Sequence, residues 1–445
     1  MNAKKNFLFA SLAVLLSTLV GAQAQVPPLT FTEYDLPNGL HVILHEDHSA
    51  PVVATVLQYK VGSRDEDPRR TGFAHFFEHL MFESTDKIER ATIDKMINGA
   101  GGQLNAFTSN DQTVYHFVVP STQVRLALWI EAQRMRKLHV NQVGVETQRG
   151  VVKEERKNRY DNAPYGGWIE KTQSILFKGT PYEWSPIGSA QHIDSASIEE
   201  FKAFYDEYYQ PNNAILVVSG DFDPAIVKET IEAYFGGYPK APEPRRPVVT
   251  GLQPMQGEYR ESINDQKAQL PALFMSYRGP TITNDEDGYA LSLLTTIMSD
   301  GESSRLYRAL VDSEQVAVQV SFSMIPRELV GMIFFVGIAA PGKGLDAVES
   351  AMDEQIARLI RDGVTEAELT KAKNAAEASF VSGRAGVYQK GLKFADAYRF
   401  DGSTSAVNDD LAKYMKVTRA DIQRVAKRFL DTKQRVVLTY IPVKG

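Results

Sequence analysis

The stretch Gly72-Phe-Ala-His75-Phe-Phe-Glu78-His79-Leu-Met-Phe82 organises the rest of the chain. His75 and His79 stand four residues apart, and that spacing on an α-helix stacks both imidazoles over one turn. Glu78 lies three residues after His75 and shares the same face. Two histidines beside a carboxylate suit a divalent ion that takes nitrogen ligands, Zn²⁺ above all. The flanks Phe73, Phe76, Phe77, Leu80, Met81 and Phe82 are apolar. A polar trio on such a helix needs partners, and a metal is one.

The order H-x-x-E-H reverses the commoner H-E-x-x-H arrangement but keeps its mechanics. Two histidines hold the ion and the glutamate takes a proton from the water that the ion activates. Such a site usually has a third protein ligand. The helix expected from Gln142 to about Tyr160 offers Glu146, Glu154 and Glu155. Glu155 follows Val152 by three and Val151 by four, which would put it on their buried side. Glu154 is nearly as well placed by the same test.

The chain has 445 residues, enough for two or three domains. Hydrophobic residues at 43% and charged residues at 23% describe a globular protein. Residues 1–24 read as a secretory signal: Lys4 and Lys5, an apolar run from Phe7 to Val20, then Ala22-Gln-Ala24. Cleavage is expected after Ala24, with an exported, periplasmic product. No later stretch reads as a membrane span. The formal charge of −6 would become about −8 without the two lysines, which argues against nucleic acid as a partner. Cysteine is absent, so disulfides and thiolate ligands are excluded.

Working outward, strands are expected at Phe31–Leu36 and Leu40–Leu44 around Pro37-Asn38-Gly39, and at Val52–Val61, Leu104–Phe107, Thr113–Val119 and Ala214–Ser219. Helices are expected at Ala91–Asn98, Val124–Leu138, Ile198–Tyr209 and Ala225–Phe235. The Gly99–Gly102 loop lacks the Lys and Ser/Thr of a phosphate cradle. A proline-rich linker at 239–256 separates an N-terminal domain, 25–238, from a C-terminal one, 257–445. The two halves match weakly but in order. In the second copy Leu291, Leu294 and Thr295 replace His75, Glu78 and His79, so that domain should carry no metal.

These residues resemble the inverse-zinc peptidases of the pitrilysin, insulin-degrading enzyme and mitochondrial processing peptidase family. The resemblance spans nearly the whole mature chain. It includes Leu36-Pro-Asn-Gly-Leu40, Gly72–Phe82, Gly101-Gly-Gln-Leu-Asn-Ala106, Tyr208-Tyr-Gln-Pro-Asn-Asn213 and Gly220-Asp221. It implies His75, His79 and Glu155 as zinc ligands, the family spacing favouring Glu155 over Glu154, and Glu78 as general base. It implies an α+β fold, two related domains with mostly antiparallel sheets, forming half of a clamshell. Asn105 and Ala106 would bind substrate backbone on an edge strand. Two departures stand out. Val311 and Val318 occupy positions where the family's second domain, in single-chain members and symmetric dimers, carries Arg and Tyr that steady the tetrahedral intermediate. Gln148 stands where many members have Glu, seven residues before the third ligand. The resemblance therefore implies a peptidase for peptides or unfolded segments that pairs with a homologous chain supplying the missing Arg and Tyr.

Overall fold

The structure is a computed structural model that describes residues 26–247, 252–282 and 286–443. The expected signal segment and residues 248–251 of the linker lie outside the described residues. The first sheet contains β1 (Thr32–Asp35), β2 (His41–Glu46), β3 (Val52–Tyr59), β4 (Gln103–Thr108), β5 (Thr113–Pro120) and β6 (Ala214–Gly220). The second contains β7 (Tyr259–Asp265), β8 (Ala272–Gly279), β9 (Ala317–Ile325), β10 (Gly331–Ala339) and β11 (Arg435–Pro442).

The spatial orders are β1-β2-β6-β3-β5-β4 and β7-β11-β8-β10-β9. Setting β1 aside, both sheets run first strand, last, second, fourth, third. Of the pairings between these described strands, β2–β6 and β7–β11 are parallel and the rest antiparallel. This shared topology is what a duplicated α+β unit produces. At Pro37-Asn38-Gly39 the β1–β2 connection closes with the Gly39 N–H on Leu36 O at 2.8 Å. Gly39 has φ +87°, so the chain uses a three-residue loop with a left-handed glycine.

The helix Phe73–Leu80 and the helix Glu286–Ser299 occupy equivalent places, the first between β3 and β4 and the second between β8 and β9. Leu291 and Leu294 are buried in the second core, and Thr295 Oγ1 donates back to Ser292 O at 2.7 Å. Apolar packing replaces the polar trio there.

The helices do not divide between the sheets as the strands do. One face of the first sheet is covered by its own helices, with Leu57 and Tyr115 in one core with Phe77, Leu128 and Phe201. Its other face, with Ile43, Val56, Ile215 and Val217, is covered by Phe394 and Ala395. Those residues belong to the helix Val387–Phe400, from the second half of the chain. Gly391 permits the close approach, since a Cβ there would lie 3.0 Å from Val56 Cγ2. In return Leu176, Phe177 and Tyr182 pack under Phe274, Met332 and Leu438 of the second sheet. Each half thus buries an apolar sheet face with a segment from the other half, and burial of this kind contributes roughly 25 cal/mol per Å².

Candidate metal centre and peptide cleft

The histidine helix runs Phe73–Leu80. Phe73 and Phe76 stack on Phe201 at 4.6 Å, and Phe77 stacks on Phe204 at 5.5 Å. That packing turns His75, Glu78 and His79 toward the opposite side. The helix starts at Gly72, with φ +98°, where a Cβ would meet Ile187 O at 2.8 Å. The buried Glu66 carboxylate satisfies its first turn. It accepts the N–H groups of Gly72 at 2.9 Å and Ala74 at 2.8 Å, and Trp184 Nε1–H at 3.0 Å.

The glutamate helix runs Gln142–Arg156, and its Asn141 cap accepts the Gly144 N–H at 3.0 Å. Of the two valines expected on the buried side, one is there. Val152 is 3% exposed, but Val151 is 45% exposed and faces outward. Glu155 follows the buried Val152 and sits at the boundary. Glu154 points away, and its exposed side chain pairs with Lys157 at 3.4 Å. Of the two glutamates, Glu155 is the one that lies with the histidines.

His75 Nε2 lies 3.5 Å and His79 Nε2 lies 3.1 Å from one oxygen, Glu155 Oε2. The rings meet edge to face, 4.8 Å between centroids. Among the described residues this is the one group of three or more His, Asp or Glu whose donor atoms lie within 4.8 Å of one another. Bonds of about 2.0–2.2 Å to a tetrahedral ion place neighbouring ligand atoms roughly 3.3 Å apart. The donor set, two imidazole nitrogens and a carboxylate oxygen, fits zinc in both chemistry and spacing. The imidazoles, His75 first and then His79, hold the Glu155 carboxyl well below the usual carboxylate range, with help from Arg159. Arg159 sits 2.8 Å from the other oxygen, Oε1.

Glu78 lies beside this triangle, and Thr108 Oγ1 donates to its Oε2 at 2.7 Å. Thr108 ends β4, the edge strand of the first sheet, which pairs with β5 alone. Asn105 and Ala106 are on the same strand, so the structure brings both to the site. Glu78, His79, Phe82, Leu104, Asn105 and Ala106 line one cleft of about 250 Å³. The Ala106 N–H is held by the Asn105 carboxamide oxygen at 2.9 Å. Gln148 does not join the histidines; its carboxamide donates to Glu83 Oε1 at 2.7 Å, tying the glutamate helix to the loop after the histidine helix.

Sequence reading missed Thr108, Glu66 and Arg159. Thr108 carries a usable signal, since it lies two residues after Ala106 and so on the same face of a strand. Nothing local marks Glu66.

A two-domain α+β chain with a two-histidine, one-glutamate cluster and an adjacent glutamate defines a class of metallopeptidase scaffold, and comparison with known proteins agrees. Residues 41–185 match the insulinase model of peptidase family M16, and residues 195–376 match that family's inactive-domain model. The chain belongs to this pitrilysin-type family. It is 29% identical over 433 residues to the zinc protease PqqE of Helicobacter pylori, covering 97% of each chain. It is 28% identical over 401 residues to an uncharacterized zinc protease of Mycobacterium tuberculosis, covering 89% of this chain and 90% of that one. A crystal structure of a protease from Helicobacter pylori superposes with a TM-score of 0.88 at 27% identity, covering 93% of this chain and 100% of that one. The first half of the periplasmic protease PqqL from Escherichia coli shares the fold, with a TM-score of 0.76 at 19% identity over 94% of this chain and 93% of that one.

Proposed function

We propose that this chain is a zinc-dependent endopeptidase, with His75, His79 and Glu155 as ligands and Glu78 as general base. The convergence of both imidazoles on Glu155 Oε2, with Glu78 alongside, carries the reading. A bound zinc would supply Lewis acidity, polarising the scissile carbonyl and acidifying water. The chain's own residues do the rest. Glu78 takes the proton from the attacking water as the water oxygen bonds to the carbonyl carbon, then passes it to the amine as the C–N bond breaks. Thr108 fixes the Glu78 carboxylate. The outer edge of β4 at Asn105 and Ala106 pairs with substrate backbone, which favours extended peptides and unfolded segments. Once a peptide strand takes over the Ala106 N–H, Asn105 is released to bind it.

The partner belongs to the same proposal. Val318 is 48% exposed on β9, the edge strand of the second sheet, and neither it nor Val311 can donate a hydrogen bond. The chain corresponds in fold to 48% of full-length PqqL, in keeping with half of a two-part enclosure. A homologous chain bringing Arg and Tyr would complete the site. Export to the periplasm is part of the reading; among the described residues no helix is long and apolar enough to cross a membrane. The alternative is a non-catalytic assembly subunit, or a periplasmic peptide- or metal-binding protein, favoured only by the two valines.

The test is cleavage of a fluorogenic peptide or casein by the mature chain, with and without chelator. Weak chelator-sensitive cleavage alone is expected, rising ~10²–10³-fold with a homologous chain that carries the missing donors. Glu78→Gln should keep zinc and lose turnover. No chelator-sensitive cleavage under either condition defeats the enzyme reading, and full activity of the lone chain defeats the partner.

A further inference from the structure

Strand β4 has two faces, and the proposed cleft uses one. Leu104, Ala106 and Thr108 face the histidine helix, with Thr108 on Glu78 and Leu104 in a core with Phe117. Gln103, Asn105 and Phe107 therefore face the other way, and Phe107 packs there with Val114 and Phe394. Asn105 is paired with His116 of β5, so their side chains share that second face.

On this second face lies a further cavity of about 430 Å³, which meets the metal-side cleft at the strand edge, where Leu104 and Asn105 line both. Its floor is the sheet, with Gln103, Asn105, His116 and Val118; its wall is the segment Ala385–Gln389 that leads into the helix crossing from the second half. His116 stacks on Tyr388, 3.9 Å between ring centroids. Its Nδ1 is buried without a hydrogen-bond partner. Burial lowers the imidazole to about 4, leaving the ring neutral at ordinary pH. None of the residues that line the cavity is Asp, Glu, Lys or Arg.

A peptide added as a strand on the β4 edge must alternate its side chains between these two faces, because successive side chains of a strand point oppositely. A side chain entering the Glu78–Phe82 cleft sends both its neighbours toward the second cavity. From this juxtaposition we infer that the cavity under His116 and Tyr388 is a specificity pocket for a bulky uncharged side chain, aromatic or large aliphatic, next to the one held in the metal-side cleft. The inference rests on the peptidase reading above. The lining offers a charged side chain no counter-charge, only the neutral polar groups of Ser49, Gln103, Asn105 and Gln389, against the loss of its hydration. The stacked His116–Tyr388 pair offers an aromatic ring an edge or face to pack on. The pocket is built jointly by β4–β5 and by a segment of the second half, so both halves of the chain would set one preference.

The experiment is a cleavage-site profile of a random peptide library, read by mass spectrometry, with the zinc-loaded mature chain and two variants. Val118→Phe fills the cavity from the floor, and Ala385→Trp fills it from the exposed rim in case the first variant folds poorly. The wild-type chain should enrich aromatic and large aliphatic residues over charged ones at least tenfold at alternate positions. Either folded variant should reduce that ratio below threefold while leaving the intervening positions unchanged. A flat profile, a charged preference, or a preference that survives both fillings overturns the pocket while leaving the peptidase reading intact. No cleavage of any library member, either by the chain alone or together with a homologous chain that carries the missing donors, overturns the peptidase reading and the pocket with it.

Discussion

Thr108 donates its hydroxyl hydrogen to Glu78 Oε2 at 2.7 Å, joining the edge strand that would hold a peptide to the carboxylate that would move its proton. On the proposed mechanism, this single bond would couple the substrate's register to the general base. Thr108→Val keeps the β-branched shape and removes the donor. It should lower kcat about tenfold with KM and bound zinc unchanged, since such a group acts on orientation rather than on binding. Thr108→Ser should restore most of the loss. Steady-state kinetics with metal analysis decide it, and an equal fall in zinc content would mean that Thr108 supports the cluster instead.

Glu154 and Glu155 provide a paired control. Glu155 Oε2 lies within 3.5 Å of both imidazole nitrogens, whereas Glu154 is engaged by Lys157 on the exposed side. Glu155→Gln should weaken zinc binding by ~100-fold or more, because an anionic ligand is replaced by a neutral one. Glu154→Gln should leave affinity within about twofold. Chelator competition followed by metal analysis separates the two, and equal losses would remove Glu155 from the ligand set.

Glu66 anchors the histidine helix through the Gly72 and Ala74 N–H groups. Glu66→Ala strands these two buried donors, at about 1–3 kcal/mol each before relaxation, whereas Trp184 Nε1–H keeps Ser63 O at 2.9 Å. A net loss of about 3 kcal/mol in urea unfolding is expected. Zinc affinity should fall ~10-fold as well, because the first turn sets the pitch of His75. Glu66→Gln retains acceptor capacity and should lose less on both measures.

The contrast between Glu66 and Glu155 shows what a sequence can reveal. The histidine helix, its apolar flank and the strands β2 to β6 are legible because each carries its own period or turn signal within a few residues. Glu155 is legible only in part: helical periodicity narrows the choice to two neighbours, and it relied on Val151, which the structure turns to solvent. The exchange of the helices Trp168–Leu176 and Val387–Phe400 between the sheets is not legible at all. An amphipathic helix announces an apolar face but not which sheet that face will meet. Glu66 and Thr108 are missed for a related reason, since their partners are chosen by tertiary placement of the helix they serve.

The exchanged helix Val387–Phe400 also carries a titrating group into the joint. Asp396 Oδ1 accepts from Gln58 Nε2 of β3 at 2.8 Å and from Gln112 Nε2 at 3.3 Å. Burial raises the Asp396 carboxyl to about 6, against the two carboxamide donors and the Arg399 and Lys393 charges that lower it. A carboxyl raised in the folded state favours folding most while protonated. Its contribution is complete below the unfolded value of 3.8 and is lost as pH rises through about 6. The full shift would correspond to ~3 kcal/mol; the residue keeps some surface, so about 2 kcal/mol is expected. Asp396→Asn cannot ionise and should not show this loss. Urea unfolding of both proteins at pH 4 and pH 7.5 should find the wild-type chain weakened by about 2 kcal/mol relative to the variant at the higher pH. Parallel pH profiles would show that Asp396 ionises freely in the folded chain, and that the joint between the halves has no titrating bond at this position.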